Sequence, residues 1–163
     1  MDGLVTSPKI DPYRDSDAEV LWTILESTIR SGESYTIDPG ISREGALAYW
    51  TGPGREVFLA GELGTYYLRP NQGGNGDHVC NAGFVTAPAA AGRGVARALL
   101  AHALARAKAR GFHAMQFNFV VETNARAIRI WEDHGFDIVG RLPQAFHHPR
   151  EGLVDALVMY RLL

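Results

Sequence analysis

The segment AAAGRGVARALL has residue types and spacing that could bind phosphate. Gly92 and Gly94 follow an apolar run and precede an alanine-rich stretch whose apolar residues recur at helical spacing. The first main-chain N–H groups of a helix have no partner within the helix, and the helix dipole favours an anion beside them. Glycine lets the main chain approach a phosphate closely, and Arg93 and Arg97 add positive charge nearby. This turn is therefore a candidate pyrophosphate site.

Two other phosphate-binding motifs fit this turn poorly. A P-loop requires Lys and then Ser or Thr after its last glycine, whereas Gly94 is followed by Val95 and Ala96. A dinucleotide-binding turn requires a third small residue at a set spacing and an acidic residue about 20 positions later, where this chain has His113 and its neighbours. On this segment alone, a tight strand-to-helix turn without a ligand stays an open alternative.

A second motif, ETNARAIRIWEDHGF, follows further along the chain. Together the two segments resemble the GCN5-related N-acetyltransferase (GNAT) family. That family's acetyl-CoA turn reads Q/R-x-x-G-x-G/A, and a later helix carries N-x-x-A-x-x-x-Y-x-x-x-G-F. The corresponding residues here are Ala91, Gly94, Ala96, Asn124, Ala127, Trp131, Gly135 and Phe136. Order and spacing agree across residues 79–140, so the joint match is specific although each motif alone is weak.

The resemblance implies an acetyl-CoA-dependent N-acetyltransferase, in which an amine attacks the acetyl carbonyl of the cosubstrate directly. Its main chain would hold the pyrophosphate at Gly92, Arg93, Gly94, Val95, Ala96 and Arg97. Val85 would pair with the pantetheine arm, and a main-chain N–H near it would polarise the carbonyl. Asn124 would meet the thioester, Ala127 would line the cofactor site, and the Trp131 ring would pack beneath the thiol. No metal is expected.

Two residues depart from the family pattern, and the general base is open. Trp131 stands where many members carry a tyrosine whose phenol can protonate the leaving thiolate, which an indole cannot do at pH 7. Ala91 replaces Gln or Arg, which removes one phosphate contact. The strand over residues 78–86 has no carboxylate, so the nearest acidic residue, Glu122, and a chain of water molecules are alternative routes for the proton.

A narrower resemblance concerns the acceptor. The segments CNAGFV, FNFVVETN and IWEDHGFDIVGRLP are similar to the branch that includes the yeast L-azetidine-2-carboxylate (proline-analogue) N-acetyltransferase. That resemblance implies substrate contacts at Asn81 and Asn118. An amide can donate to a substrate carboxylate while remaining neutral, which costs less on burial than a charge does. The alternative for Asn81 is a polar side chain that satisfies the backbone at a bulge.

Three other residues have simpler interpretations. Strand alternation turns Cys80 away from the Asn81 face, and no activating base is evident, which indicates a buried thiol. His147 and His148 are adjacent and lack further metal-ligand spacing, so we interpret them as surface loop residues.

The predicted elements give a mixed α/β order with a central βαβ unit. Apolar periodicity and end signals predict helices from about Ser16 or Asp17 to Ser31, over 43–50, over about 96–109 and from Thr123 to Gly135. The predicted strands cover residues 56–62, 65–69, 78–86, 113–121, 137–142 and 154–162. The resemblance implies the GNAT fold, a mixed, mostly antiparallel sheet of six to seven strands with helices on both faces, as one domain over residues 1–163.

Composition and charge narrow the partners and the cellular compartment that we expect. The chain has 163 residues, with 16 basic and 18 acidic side chains and no basic stripe, which argues against nucleic acid as a partner. One cysteine fits a reducing compartment. The first 17 residues lack the pattern of a secretory signal, and no apolar run is long enough for a membrane span, so we expect a cytoplasmic protein. A homodimer is an expectation from the family resemblance alone.

Three functional hypotheses remain open from the sequence. The protein acetylates a small-molecule amine or amino acid, or it acetylates a protein or peptide, or it binds coenzyme A as a regulatory module without turnover. The third is motivated by Trp131 and by the absence of a carboxylate on the strand over residues 78–86.

Overall fold

The computed structural model describes residues 6–163. Its strands are β1 (Asp11–Pro12), β2 (Glu56–Leu59), β3 (Gly64–Pro70), β4 (Val79–Thr86), β5 (Ala114–Val121), β6 (Asp137–His148) and β7 (Gly152–Leu162). The helices are α1 (Ala18–Ser31), α2 (Arg43–Trp50), α3 (Val95–Ala109) and α4 (Ala125–Asp133). The first five residues of the predicted domain, and of the segment inspected for a secretory signal, lie outside the described part. The domain bounds stay a prediction.

All seven strands form one sheet in the order β1-β2-β3-β4-β5-β7-β6. Every neighbouring pair is antiparallel except β4 and β5, which run parallel and are joined through α3. This connection is the βαβ unit that the sequence predicts. The predicted α/β fold, with a mostly antiparallel sheet of six to seven strands, is confirmed.

The helices cover both faces of the sheet. Residues of α3 and α4 pack on one face in a cluster with Tyr66, Leu68, Cys80 and Ala82 of the central strands. Residues of α1 and α2 pack on the other face in a second cluster with Tyr67 and Val85. Because neighbouring residues of a strand point to opposite faces, the even-numbered side chains of β3 and β4 face α3 and the odd-numbered ones face α1 and α2.

Local sequence explains most helix ends. Gly32 ends α1 in the left-handed region, with φ at 65°, where glycine is favoured. The Ser42 hydroxyl caps α2 by accepting a hydrogen bond from Gly45 N–H at 3.0 Å. The Asn124 side chain caps α4, because its Oδ1 accepts from Ala127 N–H at 3.3 Å. The N-cap of α4 is therefore Asn124.

The last two strands differ from the prediction. Strand β6 continues past Leu142 to His148, and its pairing with β7 shifts between Leu142 and Phe146, where Gln144 has a φ of 51°. The bulge absorbs Pro143, which looks like a strand end in the sequence. The prediction that His148 lies in a surface loop is wrong, because it pairs with Gly152 at the turn and is only 4% exposed.

Candidate active site

A gap in the sheet forms the main cavity. Strands β4 and β5 pair only at Val79 with Ala114 and at Cys80 with Met115, after which they separate. The cavity has a volume of about 790 Å³, and it is lined by residues from both faces of the sheet and from the first turns of α3 and α4. It therefore passes through the sheet from the α3 face to the α1–α2 face.

The turn before α3 presents unpaired donors to this cavity. In the described part of the chain, no hydrogen bond outside the helix uses the N–H groups of Gly92, Gly94, Val95, Ala96 and Arg97, and the bond at the start of α3 runs from Ala98 N–H to Gly94 C=O at 3.1 Å. Arg93 differs, because its N–H donates to Ala90 C=O at 3.1 Å. The Arg93 N–H is therefore already used within the turn, and a role of the Arg93 main chain in the phosphate cradle stays a prediction.

Gly92 and Gly94 are required by backbone conformation. Each has a φ of 73°, a region that residues with a side chain rarely adopt. A Cβ at either position would meet no protein atom within 4 Å. The space in front of both glycines is open, which leaves the N–H groups accessible to a ligand.

The two arginines of the turn have less direct access than the sequence predicts. The Arg97 guanidinium forms an ion pair with Asp133, with Nη2 2.8 Å from Oδ2, although Arg97 lines the cavity. This contact lowers the pKa of the Asp133 carboxyl. Arg93 is exposed and does not contribute to the cavity lining. Sequence reasoning missed Arg126 and Arg129, which line the same cavity and could have been found from their position in the first turns of α4.

The hydrogen-bond pattern of β4 decides which of its main-chain groups face the gap. Asn71 N–H donates to Val79 C=O at 2.8 Å, and Ala87 N–H donates to Leu63 C=O at 2.8 Å. Along an antiparallel pair of strands, residues that exchange these main-chain hydrogen bonds alternate with residues that do not. The odd-numbered residues of β4 therefore bond to β3, and the even-numbered residues turn their main-chain groups towards β5.

This alternation corrects the predicted role of Val85. Its main-chain groups bond to Thr65, its register partner on β3, and are not available to a pantetheine arm or an acetyl carbonyl. The outward-facing groups belong instead to Phe84 and Thr86. The Val85 side chain still lines the cavity.

Tyr35 reaches this edge of β4 from the loop between α1 and α2. Its hydroxyl donates to Phe84 C=O at 2.8 Å and accepts from Phe84 N–H at 2.9 Å. Burial raises the pKa of the Tyr35 phenol well above its usual value. The sequence carries no signal for this contact, because it depends on where an irregular loop folds back.

The predicted residues of α4 also lie at the cavity. Asn124, Ala127 and Trp131 all line it. The Asn124 cap uses only the side-chain oxygen, which leaves the amide NH₂ as a donor. The Trp131 ring is 8% exposed, and its centroid lies 5.1 Å from that of Phe84 and 5.0 Å from that of Phe117.

Asn81 and Asn118 both line the cavity and take part in a chain of hydrogen bonds across the gap. Asn81 Nδ2 donates to Gln116 C=O at 2.9 Å, and Gln116 Nε2 donates to Asn118 Oδ1 at 2.9 Å. Asn118 Nδ2 then donates to Asn71 Oδ1 at 2.7 Å. The two asparagines do not contact each other directly. Asn81 thus bridges the separating strands, as the structural alternative expects, and both amides retain further hydrogen-bonding capacity.

The Acetyltransferase (GNAT) family model matches residues 33–136, which is more than half of the chain. The chain belongs to the GNAT family of acetyltransferases. It is 38% identical to a GCN5-related N-acetyltransferase from Kribbella flavida, whose solved structure matches with a TM-score of 0.88 over 95% of this chain and 97% of that chain. The predicted family and the predicted kind of enzyme, an acetyl-CoA-dependent N-acetyltransferase, are therefore confirmed at the level of the family.

Two further relatives differ in what they show. N-acetyltransferase aca1 from Schizosaccharomyces pombe is 37% identical over 97 residues, which cover 59% of this chain. The match covers 46% of that protein, so the chain spans about half the length of this relative. A GNAT phosphinothricin acetyltransferase from Sinorhizobium meliloti, solved in complex with AcCoA, is 20% identical with a TM-score of 0.82 over 97% of this chain and 89% of that chain. This last likeness shows the fold alone.

No acidic side chain lines the main cavity within residues 6–163. Glu122 is outside the lining, and its carboxylate is 3.0 Å from the Arg141 guanidinium, which also binds Asp155. The ion pair and the position argue against Glu122 as the general base of this GNAT site. Tyr67 and Tyr35 do not replace it, since burial raises the pKa of Tyr67 to about 12 and that of Tyr35 well above its usual value.

His148 lines a smaller neighbouring cavity that shares Thr28, Ser34 and Asn124 with the main one. The N–H groups of Arg150 and Glu151 donate to His148 Nδ1 at 3.2 Å each. Because Nδ1 accepts, the neutral ring carries its proton on Nε2. His148 Nδ1 is therefore already used as a hydrogen-bond acceptor at this second cavity.

The remaining sequence predictions concern the thiol, metals and membranes. Cys80 is fully buried and its Sγ lies 3.4 Å from Ala114 C=O, which confirms the buried thiol. Within the described residues, no group of three or more His, Cys, Asp or Glu side chains is placed to hold a metal ion. None of the helices described is both long and apolar enough to cross a membrane.

Proposed function

We propose that this protein transfers the acetyl group of acetyl-CoA to the amine of a small molecule. The observation that carries the proposal is one cavity through the gap between β4 and β5, with unpaired N–H groups at one end and side-chain amides at the other. Such a passage brings a cofactor thioester and an amine together from opposite faces of the sheet. Juxtaposition of two bound reactants supplies a large part of the rate of a bimolecular reaction.

The residues present fit the cofactor. The N–H groups of Gly92 and of 94–97 bind the pyrophosphate, aided by the dipole of α3. Arg126 and Arg129 add positive charge at the same end. Acetyl-CoA supplies an acetyl group already activated as a thioester. The outward main-chain groups of Thr86 take the role first assigned to Val85, pairing with the cofactor arm at the edge of β4, because the main-chain groups of Phe84 already bond to the Tyr35 hydroxyl.

The centre of the cavity positions the reacting groups. The free NH₂ of Asn124 donates a hydrogen bond beside the thioester, and the Trp131 ring excludes water beneath it. Asn81 and Asn118 use their remaining donors to hold the acceptor. Since no carboxylate lines the cavity in the part described, the amine loses its proton to water.

The lining favours a small acceptor over a basic peptide. A peptide acetyltransferase for basic substrates would need an open acidic groove, whereas the acceptor end of the main cavity carries Arg69 and neutral amides. Proline and its ring analogues are the first candidates, because the proline-analogue branch that the sequence resembles acetylates such molecules.

The proposal is tested by measuring the free thiol released from acetyl-CoA with a panel of amines. The panel contains proline, azetidine-2-carboxylate, a primary amino acid and a lysine-containing peptide. Thiol release with a small acceptor, with the acetylated product seen by mass spectrometry, supports the proposal. Release only with the peptide identifies a peptide acetyltransferase. Tight cofactor binding without turnover on any acceptor identifies a regulatory module and contradicts the proposal.

Two further statements remain predictions. The family resemblance predicts a homodimer, which molar-mass measurement in solution tests. The single, reduced cysteine agrees with the predicted cytoplasmic location, which localisation of the tagged protein tests.

A further inference from the structure

Arg69 is the charged side chain at the acceptor end of the cavity. It lies near the end of β3, directly opposite Asn81 on β4, and both line the cavity. Directly opposite residues of an antiparallel pair project from the same face. That face also carries Tyr67, which packs against α1 and α2 rather than against α3. Arg69 therefore reaches the cavity from the face opposite the phosphate-binding turn.

The Arg69 guanidinium has no acidic partner among residues 6–163. None of the ion pairs in the described structure includes it, and its one side-chain hydrogen bond runs from Nε to Asn81 Oδ1 at 3.3 Å. Arg69 is half-buried, and the cavity that it lines contains no carboxylate in the part described. The planar group with its remaining N–H donors is thus available to an anion that enters the cavity.

This cation is too far along the sheet to serve the pyrophosphate. The first turn of α3 lies at the Gly64 end of β3, because a Cβ on Gly64 would come within 3.1 Å of Val95 Cγ1. Gly64 and Arg69 are five residues apart on one strand, which corresponds to about 17 Å. The anionic groups of the cofactor have their own donors at the α3 end, so the charge of Arg69 is left for the acceptor.

We propose that Arg69 binds the carboxylate of the acceptor, and that the substrates are therefore amines that carry a carboxylate close to the reacting nitrogen. This inference rests on the proposed function and narrows its substrate class to amino and imino acids. Arginine matches a carboxylate with two parallel N–H donors, and the neighbouring Asn81 amide adds a neutral donor. The Tyr67 ring packs closely over Gly83 beside this site, where a Cβ would lie 2.5 Å from Tyr67 Cε1. The acceptor carbon skeleton lies against this aromatic surface.

The experiment compares matched acceptors with wild type and two variants. The acceptor pairs are proline with prolinamide and alanine with alaninamide, in which only the carboxylate is replaced. Arg69→Gln removes the charge. Arg55→Gln is the control, because Arg55 also packs over the Tyr67 ring, at 4.4 Å, but does not line the cavity. The measured quantity is the ratio of kcat/KM for the acid to that for the amide. The acid and the amide differ in amine basicity, and comparing this ratio between wild type and a variant cancels that difference.

Arg69→Gln should lower kcat/KM for the acids by about 10- to 100-fold and change it for the amides by less than about threefold, as expected for one lost charge-assisted contact. Arg55→Gln should leave the ratio within about twofold. Independent of turnover, cyclopentanecarboxylate should inhibit wild type more strongly than Arg69→Gln. Binding of acetyl-CoA and the thermal midpoint establish that each variant is folded.

If Arg69→Gln lowers kcat/KM equally for acids and amides, or lowers it for neither, the inference is overturned and the proposed function is unaffected. Wild type that prefers amides over acids, once each kcat/KM is corrected for the unprotonated fraction of that amine, also overturns the inference. Absence of acetylation with every acceptor, despite cofactor binding, overturns the proposed function and the inference with it. Should Arg69→Gln fail to fold, Arg69→Lys gives the same test. Its selective loss of kcat/KM for the acids should be smaller, because lysine keeps the positive charge but lacks the two parallel N–H donors of arginine.

Discussion

At the residue scale, Asn81 serves both the fold and the site. Its NH₂ group donates to Gln116 C=O on the strand that has separated from β4, and its oxygen accepts from Arg69. Without this bridge a carbonyl at the gap would lose a partner, and the separation of the strands would be less defined. The side chain that bridges the gap also lines the cavity in which we propose that the acceptor binds.

Asn81→Leu should therefore destabilise the protein. Leucine cannot donate to Gln116 C=O, and the loss of this bond should lower the free energy of unfolding by about 1–3 kcal/mol. Urea unfolding measures the change. Asn118→Leu is the matched control, because its lost partner is a side-chain oxygen of Asn71 that can turn elsewhere. Equal stability of Asn81→Leu and wild type would contradict the bridging role.

The burial of the Cys80 thiol leads to a second prediction at the residue scale. Burial is the main cause that raises its pKa to about 12, and the side chain is fully enclosed. The native protein should show no fast reaction with a thiol reagent at pH 8, whereas the denatured chain should titrate one thiol per molecule. Rapid labelling of the native protein would contradict this placement. The same result shows that a free-thiol assay of coenzyme A release has no background from the enzyme.

At the element scale, Tyr35 substitutes for a strand partner. Its hydroxyl satisfies both main-chain groups of Phe84 at the place where β5 has moved away. A loop between α1 and α2 thus stabilises the edge of β4 that faces the cavity.

Tyr35→Phe should loosen this edge. We expect faster hydrogen exchange at the Phe84 amide and a loss of about 1–3 kcal/mol in the free energy of unfolding, because two buried main-chain groups lose their partner. Exchange measured by NMR gives the residue-specific readout. Tyr160→Phe is the control, since the Tyr160 hydroxyl has no hydrogen bond among the described residues. Unchanged exchange at Phe84 would show that Tyr35 does not hold this edge.

The elements also show how far the sequence predicts the structure. Helices with one apolar face and glycine ends, such as α1 and α3, follow from local pattern. The α3 turn and the Asn124 cap are likewise local features of the sequence. The role of Val85 could not be predicted, because it depends on which residues of β3 and β4 share a hydrogen-bonded pair. Arg69 and Tyr35 were missed for the same reason, since only strand register and loop packing bring them to the cavity.

At the scale of the whole molecule, the cavity lacks an ionisable group that could take a proton near neutral pH. Tyr67 and Tyr35 keep their protons, since burial raises the pKa of Tyr67 to about 12 and that of Tyr35 well above its usual value. The described lining contains no carboxylate or histidine. The fraction of acceptor that is already unprotonated should therefore control the rate.

The dependence of kcat/KM on pH should follow the acceptor. Below the pKa of the acceptor amine, kcat/KM should rise about tenfold per pH unit, and it should level off above that pKa. Changing from proline to an acceptor with a less basic amine should move the inflection to lower pH by the difference between the two amine pKa values. An inflection between pH 6 and 8 that stays fixed for both acceptors would reveal a base on the enzyme and contradict this account.

The most direct test of the central claim is calorimetric titration of acetyl-CoA into Gly94→Ala and Gly111→Ala beside wild type. Both glycines have positive φ, 73° and 84°, and both have open space in front of them, but Gly94 begins α3 and Gly111 follows its end. The two substitutions should strain the backbone alike. We predict one acetyl-CoA bound per wild-type chain, a loss of at least about tenfold in affinity for Gly94→Ala and less than about twofold for Gly111→Ala. Equal affinity of all three proteins, or no binding to wild type, would contradict the claim that the turn before α3 binds the pyrophosphate.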